Sequence, residues 1–313
     1  MSAPTFTLNN GVKIPAIGLG TWQSKPEDVT AAVEYAIKEV GYRHIDTAWA
    51  YGNEQAVGEG IRRSGVPRSE LFITTKLWGT HHNAVEKWLD ESLKNLGLDY
   101  VDLYLIHWPI ALNPNGNDPV FPKRPDGSRD VLTDWPISKT WAQMEEVYKK
   151  GKAKSIGVSN VSIPILSTLL STATIPPAVN QLEIHLYNPQ HRLVSFLHEH
   201  NIIPEAYSPL GSTGSPLLGD ETAREVAGRL GVQVADVLLG WLISKKIIPL
   251  PKSITPTRIS SNYHGALLAA HKLSLPENQK EVELLDGVAA NGKQRRLIMP
   301  PWGVDLGFDD WHA

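Results

Sequence analysis

Four residues frame the chemistry available to this chain. Asp46 and Tyr51 stand five positions apart in Gly41-Tyr42-Arg43-His44-Ile45-Asp46-Thr47-Ala48-Trp49-Ala50-Tyr51. Lys76 follows Leu71-Phe72-Ile73-Thr74-Thr75, and His107 follows Leu103-Tyr104-Leu105-Ile106. A phenol, an ammonium, a carboxylate and an imidazole together suit the reduction of a carbonyl. Hydride arriving at carbon generates an alkoxide that needs a proton at once. A phenol is a poor acid near neutrality, with an unperturbed pKa of ~10. A neighbouring ammonium lowers that value by favouring the phenolate, and a carboxylate holds the ammonium in place. An imidazole adds a hydrogen bond that orients and polarises the carbonyl oxygen. Each residue alone has a plainer reading. A strand-end lysine is commonly a solvated rim charge, and His107 beside Trp108-Pro109 equally fits a satisfied core residue. Four such groups at one mouth are much harder to explain that way.

These residues need a scaffold that brings successive strand ends together, and the chain's patterning supplies one. Phe6-Thr7-Leu8, Asn9-Asn10-Gly11 and Val12-Lys13-Ile14 read as a β-hairpin whose Asn-Gly provides positive φ angles. Short apolar strands are expected at 16–21, 43–46, 71–76, 101–107, 154–158, 178–182, 202–206 and 247–249. Amphipathic helices separate them. In the first, Ser24 and Glu27 form a capping box, Pro26 sits near the start, Val29, Ala32, Val33, Ala36, Ile37 and Val40 make the buried stripe, and Gly41 ends it. Others fall at 54–63, around Val85 to Leu96, and at 140–150, 163–170, 190–200, 220–230, 234–245 and 255–269. The Pro- and Gly-rich stretch from Pro109 to about Pro136 reads as a lid. The stretch 276–313 reads as an irregular tail. Strand–helix pairs with no compositional break predict one domain over 1–313, an α/β (β/α)8 TIM barrel with an N-terminal β-hairpin floor and a long C-terminal tail. The working face of such a barrel is the C-terminal end of its strands. Asp46, Lys76 and His107 each close a strand, and alternation puts Leu103 and Leu105 in the inward row below His107.

Composition narrows the partners. The chain has 313 residues, 42% hydrophobic and 20% charged, enough for the core of one barrel. A net charge of −3 gives no bulk attraction to nucleic acid or anionic lipid. No run approaches a membrane-spanning length, and Met1-Ser2-Ala3-Pro4-Thr5 has no basic region leading into an apolar one. The absence of cysteine excludes disulfides, thiol nucleophiles and thiolate metal sites. The expectation is a cytoplasmic protein, monomeric or weakly homo-oligomeric, with a small-molecule carbonyl substrate and no nucleic acid, membrane or metal. Asn160-Val161-Ser162 is a glycosylation sequon, discounted because Asn160 is expected to be buried. Gly18-Leu19-Gly20-Thr21-Trp22-Gln23 begins like a dinucleotide fingerprint but carries Gln at the third glycine. His198 and His200, two apart on a helix, point to different sides. His81-His82 reads as surface capping.

The chain resembles the aldo-keto reductases through ordered segments that run from about Leu8 to Asn262. They include Gly41 to Ala48 with Tyr51-Gly52-Asn53-Glu54, then Thr75-Lys76-Leu77-Trp78 and Leu103 to Pro109, and then Gly157-Val158-Ser159-Asn160 and Asn180-Gln181. Ala206-Tyr207-Ser208-Pro209-Leu210-Gly211 follows, and Pro251-Lys252-Ser253 precedes Arg258-Ile259 and Asn262. The resemblance implies that Tyr51 donates the proton, Lys76 and Asp46 tune it, and His107 orients the substrate. It also implies NADPH bound without a Rossmann fold. Ser159, Asn160 and Gln181 would hold the carboxamide and Tyr207 would stack on the nicotinamide. Gly20, Thr21, Trp22 and Asp46 would border the cofactor, and Ser208, Leu210 and Ser212 would close over the pyrophosphate. Lys252, Ser253 and Arg258, with Asn262 nearby, would hold the adenosine 2′-phosphate. Ser261 replaces a carboxylate common in the family, which implies a looser latch and faster cofactor release. Glu205 stands where threonine is frequent, and the sequence assigns it no role.

Trp22, Trp49, Trp78 and Trp108 fall on or just after strand ends and are expected to line the pocket with Tyr51 and His107. Phe121 on the insertion and Trp302 on the tail are positioned to cover it. An aromatic wall with few charges favours carbonyls on neutral chains or rings, from sugar to aryl aldehydes. The tail from Pro300 to Trp311 is similar to those of fungal family members, among them glycerol dehydrogenases and aldehyde reductases. Three alternatives stay open: polyol or glycerol oxidation in reverse, a cofactor-binding regulatory barrel with little turnover, and a metal-dependent barrel hydrolase.

Overall fold

The structure, a computed structural model, describes residues 3–212 and 214–311. Strand β1 (Thr5–Thr7) pairs antiparallel with β2 (Lys13–Pro15), Phe6 facing Ile14. Leu8 N donates to Val12 O at 2.8 Å across the turn. Of the Asn-Gly pair only Gly11 is left-handed, at φ +85°, because a three-residue loop needs that conformation only at its last position.

Eight parallel strands follow in chain order: β3 (Leu19–Gly20), β4 (His44–Asp46), β5 (Phe72–Leu77), β6 (Leu103–Ile106), β7 (Ile156–Ser159), β8 (Val179–Glu183), β9 (Ile203–Tyr207) and β10 (Ile248–Pro249). Gly18 N and Gly20 N donate to the carbonyls of Pro249 and Pro251, each at 3.1 Å, and Gly20 bridges Lys252. These bonds close the sheet into a barrel. Both glycines are needed at the seam, where a Cβ on Gly18 would lie 2.7 Å from the Leu250 side chain and one on Gly20 2.9 Å from the Leu250 carbonyl.

Helices α1 (Pro26–Tyr35), α2 (Glu54–Ser64), α3 (Val85–Leu96), α4 (Ile137–Lys149), α5 (Ile163–Leu170), α6 (His191–Glu199), α7 (Glu221–Leu230), α8 (Val234–Ser244) and α9 (Pro256–Leu273) form the outer layer. Two apolar clusters hold the layers together. Inside the barrel, Leu8 and Ile14 from the hairpin meet Phe72, Leu103, Leu105 and Val179, so the hairpin plugs the floor and the inward row expected below His107 is present. Outside, residues such as Val33, Ile37, Leu89 and Trp141 seat the helices on the strands, each buried side chain of this size contributing about 1.5–3 kcal/mol.

Several local expectations are corrected. The capping box at Ser24 and Glu27 does not form. Lys25 is the N-cap with no side-chain bond, because Pro26 starts the helix one residue later, and the Ser24 carbonyl instead accepts from Asn53 Nδ2 at 3.2 Å. α1 ends in a π turn (Ala36–Val40) before Gly41, at φ +97°. The tail is not wholly irregular, since α10 (Gln279–Gly287) buries Glu281 and Leu285. His81 and His82 are 2% and 3% exposed rather than on the surface. Lys76 is the penultimate residue of β5, and His107 lies one residue past β6.

Two segments cover the C-terminal mouth. The insertion folds back on itself through bridges between Leu112 and Val131 and between Lys123 and Arg129. It is tied down by Trp78 Nε1 donating to Val120 O at 2.6 Å and Thr80 Oγ1 donating to Pro119 O at 2.8 Å. The tail is pinned where Leu297 N and Ile298 N donate to the buried Glu183 carboxylate at 2.6 and 2.9 Å.

Candidate active site

Asp46 and Lys76 enter the barrel from adjacent strands. Lys76 Nζ donates to Asp46 Oδ1 at 2.6 Å, to Thr47 O at 2.9 Å and to Tyr51 Oη at 3.2 Å. Tyr51 ends a 3-10 turn (Trp49–Tyr51) that Gly52 terminates in the left-handed conformation, φ +67°. That turn swings the phenol back over the strand end that carries Asp46. His107 is anchored by its backbone, its N donating to Leu77 O at 3.0 Å and its O accepting from Asn160 Nδ2 at 3.0 Å. Its ring centroid lies 5.7 Å from that of Tyr51. The four residues singled out for chemistry are therefore brought together.

Burial sets their charge states. Burial alone would discharge Lys76, but Asp46 and Tyr51 outweigh it and lift its pKa above that of free lysine. His107 is pushed well below the ordinary histidine value by burial and then by Lys76, so it is neutral. For Tyr51 the expected lowering is corrected. Burial raises its pKa more than Lys76 lowers it, Asp46 raises it further, and the net direction is up.

Gln181 lies behind this group. Its Nε2 donates to Asp46 Oδ2 and to Glu205 Oε2, both at 2.8 Å. Glu205 is fully buried, and its pKa is pushed up to about 8, first by burial and then by Asp46. His44 approaches it to 3.8 Å and is held down at about 3, first by burial and then by Lys76. The sequence reading missed these roles. Alternation along β9 places Glu205 on the same side as Tyr207, one layer deeper, which is the signal that finds it. The Thr47 carbonyl, a backbone group, leaves no mark in the sequence.

The residues expected to hold a nicotinamide carboxamide are adjacent. Ser159 Oγ donates to Gln181 O at 2.7 Å, and Asn160 Nδ2 donates to Ser159 Oγ at 3.1 Å. Tyr207 Oη donates to Asn160 Oδ1 at 2.7 Å. Asn160 is 2% exposed and left-handed, φ +60°. Gln181 spends its Nε2 on the Asp46 and Glu205 carboxyl groups, and the side-chain amides and hydroxyl of Gln181, Asn160 and Ser159 together offer both donors and acceptors, a set that fits a carboxamide. Thr21 Oγ1 donates to Asp46 O at 3.0 Å, and Gly20 pairs with Asp46 in register. Further out, Ser208, Gly211 and Ser212 are left-handed, φ +50°, +91° and +61°, a backbone habit that turns N–H groups toward anions. A cleft of about 420 Å³ opens there, lined by Gly211, Ser212, Gly214, Pro216, Arg295 and Leu297; Leu210 is half-buried beside it in the chain. Lys252 and Arg258 are exposed on either side of the start of α9, Ser253 is nearly buried, and Asn262 is buried one turn beyond Arg258. Ser261 is exposed.

Aromatic rings line the mouth. Trp22, 50% exposed, meets Tyr51 edge-on at 4.9 Å. Trp78 lies 5.1 Å from His107, 5.4 Å from Phe121 and 6.0 Å from Trp302. Trp108 backs Trp302 at 5.4 Å. Trp49 packs edge-on against His81 at 4.2 Å and Trp88 at 5.3 Å. It lines a flanking cleft of about 380 Å³ with Asn53, Glu54 and Val120. Among the described residues no group of three or more His, Asp or Glu is arranged to hold a metal.

Residues 16–281 match the Aldo/keto reductase family. The chain is 47% identical over 313 residues to D-galacturonate reductase of Hypocrea jecorina, covering 99% of each. It is 45% identical to glycerol 2-dehydrogenase (NADP(+)) of Saccharomyces cerevisiae and 42% identical to aldehyde reductase YPR1 of the same yeast, covering 96% of both chains in each comparison. The aldose reductase of Schistosoma japonicum superposes with a TM-score of 0.88 at 36% identity, covering 99% of this chain and 100% of that one.

Proposed function

The chain belongs to the aldo/keto reductase family, and from that premise we propose how its residues divide the work. The protein is an NADP-dependent oxidoreductase that reduces small carbonyl compounds to alcohols. A nicotinamide held here would supply the hydride for the carbonyl carbon. Tyr51 and His107 hold the carbonyl oxygen between them, and as negative charge gathers there the Tyr51 O–H hands over its proton. The raised pKa of Tyr51 keeps every resting site loaded with that proton. Lys76, 3.2 Å from Tyr51 Oη, stabilises the phenolate as it forms and lies in position to return a proton to it. Neutral His107 donates one hydrogen bond without competing as an acid. Ser159, Asn160 and Gln181 would orient the carboxamide, Tyr207 would support the ring face, Ser208, Leu210 and Ser212 would hold the pyrophosphate, and Lys252, Ser253 and Arg258 would hold the 2′-phosphate.

The observation that carries this reading is the buried chain Asp46–Lys76–Tyr51, opening at Tyr51 onto an aromatic mouth. Run backwards, the same groups oxidise an alcohol with Tyr51 as base, a direction supported by the relatives named glycerol 2-dehydrogenase. We read residues 1–313 as one domain acting in the cytoplasm as a monomer or weak homo-oligomer. Among the described residues no single helix is long and apolar enough to cross a membrane. NADPH absorbance followed with D-glyceraldehyde tests the chemistry. Tyr51→Phe is expected to lose about 10²- to 10⁴-fold in kcat while keeping its NADPH affinity. Activity within a few-fold of the parent sinks the assignment.

A further inference from the structure

The amide nitrogen of Gln181 carries two carboxyl groups, and they are not alike. Asp46 takes Gln181 on one oxygen and the Lys76 ammonium on the other. Glu205 takes Gln181 on Oε2, while its buried Oε1 has no partner among the described residues. The ionisable groups that face it are His44 and Asp46 from β4 and Lys76 from β5. β8 presents Gln181 in register with it, and β10 the apolar Ile248. His44 Nε2 lies 3.8 Å from Oε1 and is already bonded to Thr74 Oγ1 at 3.1 Å.

The nearest cation has nothing left to give Glu205. Lys76 Nζ bonds Asp46, Thr47 and Tyr51, which spends all three N–H groups of an ammonium. A buried carboxylate supported by one amide N–H is costly, and a proton on the unpartnered oxygen removes the cost. Glu205 is thus the neutral acid near pH 7, and the upward direction of its pKa agrees. When it does ionise, a second negative charge stands behind Asp46 with no second cation to match it. That charge opposes a phenolate at Tyr51 and holds the Lys76 proton more tightly.

We propose that Glu205 is a positioning residue for the reaction: as the neutral acid it leaves Lys76 free to stabilise the Tyr51 phenolate, and when it loses its proton carbonyl reduction slows. This rests on reading Tyr51 as the proton donor. Glu205 touches neither the phenol nor the substrate and acts through Gln181, Asp46 and Lys76. The same charge delays the reverse reaction, because alcohol oxidation needs the Tyr51 phenolate and an ionised Glu205 moves its formation to higher pH.

The test follows kcat/KM for D-glyceraldehyde at saturating NADPH in the full-length parent, Glu205→Gln and Glu205→Asp, from about pH 7 to about pH 9.5. Infrared spectra of the same proteins without cofactor give a readout independent of turnover. In the parent kcat/KM is expected to fall about tenfold across this range, the scale of one added unit charge in a site of effective dielectric ~20. In Glu205→Gln it is expected to change less than about twofold. The parent spectrum minus that of Glu205→Gln is expected to show a protonated carboxyl at neutral pH that disappears over the same interval. Glu205→Asp keeps a titrating carboxyl, so its kinetic and infrared midpoints move together. A Glu205→Gln profile parallel to the parent's, a carboxyl already ionised at neutral pH, or an Asp variant whose two midpoints part company overturns the inference and leaves Tyr51 as the donor. A parent with no turnover at any pH overturns the Tyr51 reading, and this inference with it.

Discussion

The ammonium of Lys76 lies 2.6 Å from the carboxylate of Asp46, and the two side chains keep only 0% and 4% of their surface. With Thr47 O and Tyr51 Oη taking its other N–H groups, this lysine has no freedom to serve as a diffuse surface charge. Its position is fixed before any ligand arrives.

Breaking such a pair from one side leaves a buried charge alone, which costs about 3–5 kcal/mol, whereas replacing both partners together is often neutral. Asp46→Asn and Lys76→Met are each expected to lose stability in urea titrations, and the double variant to be more stable than either. All three lose turnover. Additive losses in the double variant contradict a mutually compensating pair.

Glu205 gives the fold a pH dependence of definite sign. Its folded pKa, about 8, stands above the ordinary 4.5, so the folded state binds this proton more tightly than the unfolded chain. Its effect on stability is favourable at low pH and is lost as pH rises from about 4.5 to 8, at up to about 1.4 kcal/mol per pH unit. Glu205→Gln keeps an acceptor for Gln181 and has no proton to lose. The stability difference between variant and parent, measured by urea midpoint, is expected to grow in favour of the variant across that interval and level off above it. A difference that does not change with pH rules out titration of Glu205 in this range.

Lys252 is the exposed cation nearest the barrel seam among those assigned to the 2′-phosphate. Lys252→Ala is expected to weaken NADPH binding at least about tenfold and to leave NADH binding within about twofold, both read by fluorescence titration. Equal effects on the two cofactors remove Lys252 from the phosphate site.

The catalytic frame was legible because its residues sit at strand ends, where period-two alternation and barrel topology decide which side chains meet. Asp46, Lys76 and His107 needed no loop geometry to be placed, and Tyr51 needed only the turn that Gly52 terminates. What escaped depends on distant partners. The helix start at Lys25 turned on whether Pro26 or Ser24 fixed the first turn. His81 and His82 looked exposed because nothing local announces that Trp88 stacks on one ring, at 3.4 Å, or that Thr140 bonds the other, at 3.1 Å. Burial holds both near 3, so they are neutral packing elements. Helix α10 (Gln279–Gly287) was hidden in the stretch read as an irregular tail, being only nine residues long and burying few of them. Trp49 was assigned to the pocket from position alone, and its packing on His81 and Trp88 could not be read from that position.

The seam between β3 and β10 also bears on how the protein is made. Gly18 and Gly20 bond to Pro249 and Pro251, partners that leave the ribosome long after the first strand does. At about 5–20 residues per second, Asp46 and Lys76 wait many seconds before Gln181 and Glu205 enclose them. The two edges of the barrel can therefore meet only after residues 249–251 have been made, and the surroundings of Lys76 are complete only when synthesis of the barrel nearly is.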